Sequence, residues 1–226
     1  MNPLFLYSLF ANYLVPLSAL APIFFALKNY RSLPPAFEIL CAFIIVSSLF
    51  NLVNLIAIYQ YHVRTIRWIH IYTILEFTFV TLVFSRVFNK KWRIPLYALI
   101  AVFGLICTID LVFIQNKLEF NTYTRPVGAL IIIGLCMGYI INTSTVESKW
   151  TDNSFNWVNT GLLLYYSGGL IMFTFSNYFL KPTLLTLLIW TIHNSILIVE
   201  YILFAIGFRK YGLEEKAISS TPIRNK

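Results

Sequence analysis

The chain has 226 residues, of which 58% are hydrophobic and only 12% are charged, and its mean hydropathy is +0.74. A soluble domain of this length cannot bury so much apolar surface, so the composition excludes a soluble globular protein and favours an integral membrane protein. The net charge of +8 comes with no folded basic module for nucleic acid, and attraction to anionic lipid headgroups explains it better.

Seven apolar segments follow one another along the chain, each long enough to cross a hydrocarbon core about 30 Å thick at ~1.5 Å per residue. In chain order they are Pro3–Leu27, Ala36–Gln60, Arg67–Phe88, Trp92–Ile114, Thr122–Ile141, Phe155–Leu180 and Thr183–Phe208. Short polar connections such as KNYRSLPP and FNKKWR separate them. The sequence therefore predicts an all-α, polytopic membrane protein. Its seven-helix transmembrane domain covers residues 1–208, and a short basic cytoplasmic tail, partly disordered, covers residues 209–226.

The distribution of Lys and Arg predicts the orientation of the segments, because cytoplasmic loops are enriched in basic residues. An N-terminus on the outer side leaves few of the 17 basic residues there. Those left outside are Arg64, Arg67, Lys117, Arg125 and Lys181. We therefore expect a multi-pass protein of the inner (cytoplasmic) membrane, with its N-terminus outside and its C-terminus in the cytoplasm.

Matching residues in the first three and last three segments favour an internal repeat. Four pairs of identical residues are separated by 122 to 124 positions, namely Asn54 and Asn177, Trp68 and Trp190, His70 and His193, and Glu76 and Glu200. Such a 3+1+3 plan, with the fourth segment as connector, is typical of small transporters built from parallel repeats. Chance alignment of helices of similar length is the other interpretation.

Polar side chains inside the segments indicate a candidate site, because a charged residue at the centre of a membrane helix costs about 2.5–3.5 kcal/mol on insertion scales. Glu76 and His193 lie at similar depth, about 15 Å from the predicted outer face. We expect an outward-facing cavity or polar core formed by Glu76, His193, Asn194, Asn51, Asn54, Tyr72 and His70. A purely structural layer that fixes helix register would use the same residues.

Three functional classes can be compared with this pattern. A retinal protein needs a lysine in its last helix, and residues 183–208 contain none. A zinc-dependent intramembrane hydrolase of the alkaline ceramidase kind needs three protein ligands and an open position. Only His70, His193 and Asp110, with Ser47 nearby, could form such a set, and the last segment lacks paired histidines. A sugar-type transporter would usually carry Pro-Gln or Pro-Asn pairs, which are missing.

Three stretches carry a resemblance to a known group. They are HIYTILEF (His70–Phe77), NTGLLLYYSGGLIMF (Asn159–Phe173) and WTIHNSILIVEYILFAIG (Trp190–Gly207). With these stretches, most of the chain resembles the small seven-helix membrane proteins of Bacteroidetes-type bacteria, a family without an assigned activity. The resemblance implies the seven-helix fold and transfers no site residues.

The sequence as a whole favours a non-enzymatic sensor, receptor-like or accessory protein. Its outward cavity would bind a small or lipidic ligand, its basic cytoplasmic face would contact a signalling partner, and no cofactor is expected. A small-solute transporter of the 3+1+3 type is the first alternative. An intramembrane metal-dependent lipid hydrolase is the second.

Overall fold

The structure is a computed structural model that describes residues 3–63, 65–115, 119–143, 149–179 and 183–220. All regular structure in this part of the chain is helical, which confirms the predicted all-α class. Several residues used in the sequence predictions lie outside the described ranges. They are Arg64, Lys117, Leu180, Lys181 and residues 221–226.

Seven helical spans among the described residues are long and apolar enough to cross a membrane. Spans 1 to 7 are Leu4–Lys28, Pro35–Tyr61, Ile66–Val87, Lys90–Ile114, Thr124–Thr143, Ser154–Phe179 and Leu184–Glu214. Large apolar side chains lie exposed on their surfaces, including Ile94 and Phe113 at 80%. Because water would penalise such surfaces, the seven spans fit an integral membrane protein surrounded by lipid.

Local sequence explains how the individual spans begin, end and deform. Span 2 starts with Pro35, because the first residue of a helix needs no backbone N–H donor. The span ends at Tyr61, and the next residue, His62, has a φ of 51° in the left-handed region that commonly terminates helices. Span 1 is interrupted: helices Pro3–Leu9, Val15–Ser18 and Leu20–Lys28 flank a π-helical stretch at Phe10–Leu14. Pro16 and Pro22 remove backbone donors here, which accounts for an irregular first helix.

Six of the spans form a closed ring. Each of spans 1, 2, 3, 5, 6 and 7 packs against the next in this order, and span 7 closes the ring against span 1. Span 4 lies outside the ring and packs mainly on span 3, with Phe103 stacked on Phe77 at 3.8 Å between ring centres. A peripheral fourth span suits a connector, but the ring does not demonstrate that spans 1–3 and 5–7 are copies. The repeat stays a prediction.

The last helix extends beyond the predicted crossing. It runs from Leu184 to Ser220, so helical structure continues past Phe208, where the predicted crossing ends and the predicted cytoplasmic tail begins. The extension is held by packing at Tyr211, whose ring stacks on Phe37 at 5.4 Å and whose hydroxyl donates to the Ser32 carbonyl at 2.9 Å. These contacts, together with good helix formers such as Leu213 and Glu214, favour continued helix.

Candidate functional site

A cavity of about 210 Å³ lies inside the ring, between spans 2, 3, 5, 6 and 7. Its apolar wall consists of Phe43, Phe50, Ile69 and Leu197. Its polar wall consists of Asn51, Asn54, Tyr72, Glu76, Arg125, Tyr165, Glu200 and Tyr201. Two carboxyl groups and one guanidinium therefore face a single space within the membrane-spanning part of the protein.

Glu76 and Arg125 form an ion pair across the cavity wall. Arg125 Nη2 lies 3.6 Å from Glu76 Oε2, and the two side chains are 20% and 5% exposed. This distance is too long for a hydrogen bond, but it allows strong attraction between buried charges. The Tyr166 hydroxyl is also placed to donate to Glu76. The carboxylate of Glu76 therefore has compensating partners within the protein.

The start of span 5 positions Arg125. Asn121 caps this helix, because its side-chain oxygen accepts from the N–H groups of Thr124 at 3.1 Å and Arg125 at 3.2 Å. The guanidinium lies 4.3 Å from the centre of the Phe173 ring, which is a favourable cation–π distance. Its buried Nε has no hydrogen-bond partner among the described residues. Arg125 is thus held in place by packing and charge, with donor capacity to spare.

Glu200 differs from Glu76 in having no compensating group. The residue is only 4% exposed, its carboxyl group faces the cavity, and no hydrogen-bond or ion-pair partner is present among the described residues. Close packing of spans 6 and 7 fixes its backbone, because a Cβ on Gly161 would lie only 3.3 Å from the Glu200 carbonyl oxygen. The protein therefore holds an uncompensated acid rigidly at the cavity wall.

Span 2 and span 3 supply further polar groups. The Tyr72 hydroxyl donates to Ser47 Oγ at 3.1 Å, and its ring stacks on Phe50 at 4.8 Å. Asn54 Oδ1 is buried and has no partner among the described residues, while Asn51 is exposed where the cavity opens. Asn54 thus lines the cavity and carries an acceptor oxygen that has no donor among the described residues.

His193 lies in a separate, much smaller space of about 20 Å³, which it shares with Arg125. Three rings surround its imidazole, with centres at 5.4 Å for Tyr165, 5.5 Å for Phe173 and 6.1 Å for Trp190. Its Nδ1 is buried without a partner among the described residues. Glu76 and His193 therefore adjoin the same guanidinium but do not line one cavity.

The other predicted residues lie elsewhere. Asn194 interacts with Tyr7 of span 1. His70 Nε2 is 3.1 Å from the Glu119 carbonyl, and Asp110 accepts from Thr124 at 3.5 Å. Within the described ranges, no three His, Cys, Asp or Glu side chains are placed to share a metal ion. The set of His70, His193 and Asp110 is therefore not assembled, and the hydrolase alternative has no metal site in this part of the chain.

Of the predicted polar core, the structure brings Glu76, Asn51, Asn54 and Tyr72 together. Arg125 was not among the predicted site residues, because it was counted as an outer basic residue. Arg125 is in fact the second residue of the helix Thr124–Thr143. A charged residue at the end of an apolar span can lie either within the membrane or outside it. Because a Glu within the membrane usually has a cationic partner, Glu76 was the feature of the sequence that could have identified Arg125. Glu200 was noted as a repeat partner and as a deep acidic residue, but it was not placed in the predicted polar core.

No match to this chain was found among protein-family models, curated proteins or solved structures.

Proposed function

We propose that this protein is a non-enzymatic, receptor-like membrane protein that binds a small solute in the cavity between the Glu76–Arg125 pair and Glu200. The observation that carries the proposal is the uncompensated Glu200 carboxyl group at the wall of a 210 Å³ cavity. Burying a charged group without a partner is expensive, so such groups in membrane spans usually serve a pathway or a ligand.

The structural alternative explains less of the site. A polar layer that only fixes helix register would join its members by hydrogen bonds between helices. Tyr72 and Ser47 fit that description, but Glu200 and Asn54 Oδ1 do not, since neither has a partner among the described residues. A ligand that supplies the missing partners accounts for both groups.

The last helix offers a physical route from the cavity to the far end of span 7. Glu200 and Lys210 lie on the same unbroken helix, about 15 Å apart at ~1.5 Å per residue. Lys210 Nζ is 3.6 Å from Asp152 Oδ1, which precedes span 6. With the N-terminus outside in a cytoplasmic membrane, this end faces the cytoplasm. A ligand that prefers one arrangement of span 7 would then change the surface offered to a signalling partner.

Transport is the second candidate, and the location of the cavity favours it. Residues of spans 2 and 3 line one side, and residues of spans 5, 6 and 7 line the other. Transporters with repeated halves hold their substrates at such a junction. A transporter would move the solute across a bilayer without any partner protein, whereas a receptor would bind it without net flux.

Thermal unfolding of the detergent-purified protein, with separate panels of small amines, carboxylates, zwitterions and neutral solutes, tests the proposal. We expect one panel to raise the melting temperature with increasing concentration. Leu197→Trp, which fills the cavity, should abolish the response. Leu185→Trp is the matched control, since Leu185 lies on the same helix and is 64% exposed.

The absence of any response in all four panels, or an undiminished response in Leu197→Trp, would contradict the proposal. Flux of the stabilising solute into liposomes that contain only this protein would replace the receptor with the transporter.

A further inference from the structure

We propose that the solute taken by this cavity is a small primary amine in its ammonium form, held by Glu200 and Asn54. The inference rests on the proposed binding function and adds the chemical class of the ligand. It follows from three properties of the cavity: its charge balance, its unused acceptors and its aromatic wall.

The ionisable groups of the cavity favour a ligand with one positive charge. Glu76 and Glu200 contribute two carboxyl groups, and Arg125 contributes one guanidinium, which is paired with Glu76. Glu200 is the ionisable group of the cavity that lacks an opposite charge among the described residues. A monovalent cation would neutralise it, whereas an anion could use the spare donors of Arg125 but would leave Glu200 uncompensated.

The acceptor oxygens of Glu200 and Asn54 favour a ligand that carries N–H groups. The Glu200 carboxyl group and Asn54 Oδ1 lack donors from the described residues. A primary ammonium group offers three N–H donors from one atom, enough for both oxygens of the Glu200 carboxyl group and for Asn54 Oδ1 once the Asn54 amide turns toward the ligand. A quaternary ammonium group offers none, and would leave both acceptors without a donor from the ligand.

The remaining wall suits an organic rather than an inorganic cation. Phe43, Phe50, Tyr72, Tyr165 and Tyr201 present rings to the cavity, and aromatic rings attract ammonium groups while packing well against alkyl chains. The volume of about 210 Å³ also exceeds what one bare ion fills, because a single water occupies roughly 30 Å³ in the liquid. A short alkylamine places its ammonium at Glu200 and its chain against Leu197 and the rings.

Butylammonium chloride is the probe for the test, and it is titrated into the full-length protein in detergent at constant ionic strength. Sodium butyrate, butanol, tetramethylammonium chloride and sodium chloride are the comparison solutes. We expect butylammonium alone to raise the melting temperature, and Glu200→Gln to weaken its apparent affinity by about tenfold or more, since each tenfold is ~1.4 kcal/mol. Glu38→Gln is the matched control, because Glu38 is exposed at the start of span 2.

A measurement on the wild-type chain covers the case in which Glu200→Gln does not fold. A hydrophobic carbodiimide modifies buried carboxyl groups, and peptide mass spectrometry reports modification at Glu200. Loss of the unmodified Glu200 peptide is the readout, because a primary amine can also trap the activated carboxyl group as an amide. Butylammonium should slow this loss, and tetramethylammonium, which does not react with the reagent, should not. An equal effect of both solutes would overturn the inference.

The outcomes separate the ligand class from the proposed function. In one outcome, butyrate, butanol or tetramethylammonium stabilises the protein at least as much as butylammonium does, and Leu197→Trp abolishes this stabilisation. That outcome would overturn the amine as ligand but keep the binding function. Equal butylammonium binding by wild type and Glu200→Gln would likewise overturn the amine site. Failure of every solute to shift the melting temperature or to protect Glu200 would overturn both.

Discussion

Arg125 Nη2 lies 3.6 Å from Glu76 Oε2, and this pair connects the first turn of span 5 to the middle of span 3. The two residues are 49 positions apart in the sequence, and the Arg125 guanidinium also packs on Phe173 of span 6. One cation therefore joins three neighbouring spans of the ring. Its position separates the 210 Å³ cavity from the small pocket of His193.

Removing one partner of this pair should be more harmful than removing both. We expect Arg125→Met to lower the free energy of unfolding by about 3–5 kcal/mol, because it leaves Glu76 as an uncompensated buried charge. The double variant Glu76→Gln/Arg125→Met should recover a large part of this loss. Unfolding in detergent by a denaturant gives the values. Arg86→Met, at an exposed position, is the control, and simple additivity of the two single variants would refute the coupling.

The contact between spans 6 and 7 at Gly161 should not tolerate a branched side chain. A Cβ there would lie 3.1 Å from Phe204 and 3.3 Å from the Glu200 carbonyl oxygen. We expect Gly161→Val to reduce stability by about 1–3 kcal/mol through overpacking and to weaken any solute response. Gly104→Val is the matched control, since a Cβ on Gly104 would meet no neighbouring described atom within 4 Å. Equal melting temperatures for the two variants would show that this contact does not position Glu200.

His193 should behave as part of an aromatic cluster and not as a metal ligand. Three rings surround it, with centres 5.4, 5.5 and 6.1 Å from the centre of the imidazole. His193→Phe keeps a ring in this cluster, and the adjoining space of about 20 Å³ receives part of the added volume, so the free energy of unfolding should change by less than about 1.5 kcal/mol. His70→Phe should be worse, because it removes the contact to the Glu119 carbonyl. Stoichiometric zinc in the wild-type protein, lost in His193→Phe, would restore the hydrolase alternative.

The connection between spans 4 and 5 should depend on Asn177. Its side chain accepts from the Phe120 N–H at 2.7 Å and donates to the Phe120 carbonyl at 3.3 Å. We expect Asn177→Leu to speed hydrogen exchange of the Phe120 amide by about tenfold, which corresponds to ~1.4 kcal/mol of lost protection. Asn142→Leu is the control, since Asn142 is exposed and bonds within its own helix. Unchanged exchange at Phe120 in Asn177→Leu would show that other contacts hold this connection.

The fold was largely predictable because a segment that crosses lipid must satisfy its backbone hydrogen bonds internally. Each crossing needs a long apolar helix, so seven such segments appear directly in the sequence. The continuation of the last helix past Phe208 has a different origin. Tyr211 continues the helix through contacts with Phe37 of span 2 and Ser32 of the connection before it, and contacts between distant segments leave no periodic signal in a single segment.

The candidate site was predictable only in part. Depth along a helix places Glu76, Asn51, Asn54 and Tyr72 at related levels, but it does not say which neighbours meet. His193 has a suitable depth and yet lies on the other side of Arg125, among aromatic rings. The order of the spans around the ring determines the location of His193. That order depends on packing between helices, which sequence periodicity does not reveal.

The most direct measurement of the central claim is the reaction of Asn54→Cys with small charged thiol reagents. The native residues Cys41, Cys107 and Cys136 are buried, and Tyr61→Cys, at a position that is 70% exposed, gives the reference rate. An open cavity with an uncompensated Glu200 predicts that a cationic methanethiosulfonate modifies Asn54→Cys about tenfold or more faster than an anionic one, relative to the reference. It also predicts that adding Leu197→Trp suppresses the reaction. No modification by either reagent, or a preference for the anion, would contradict the account.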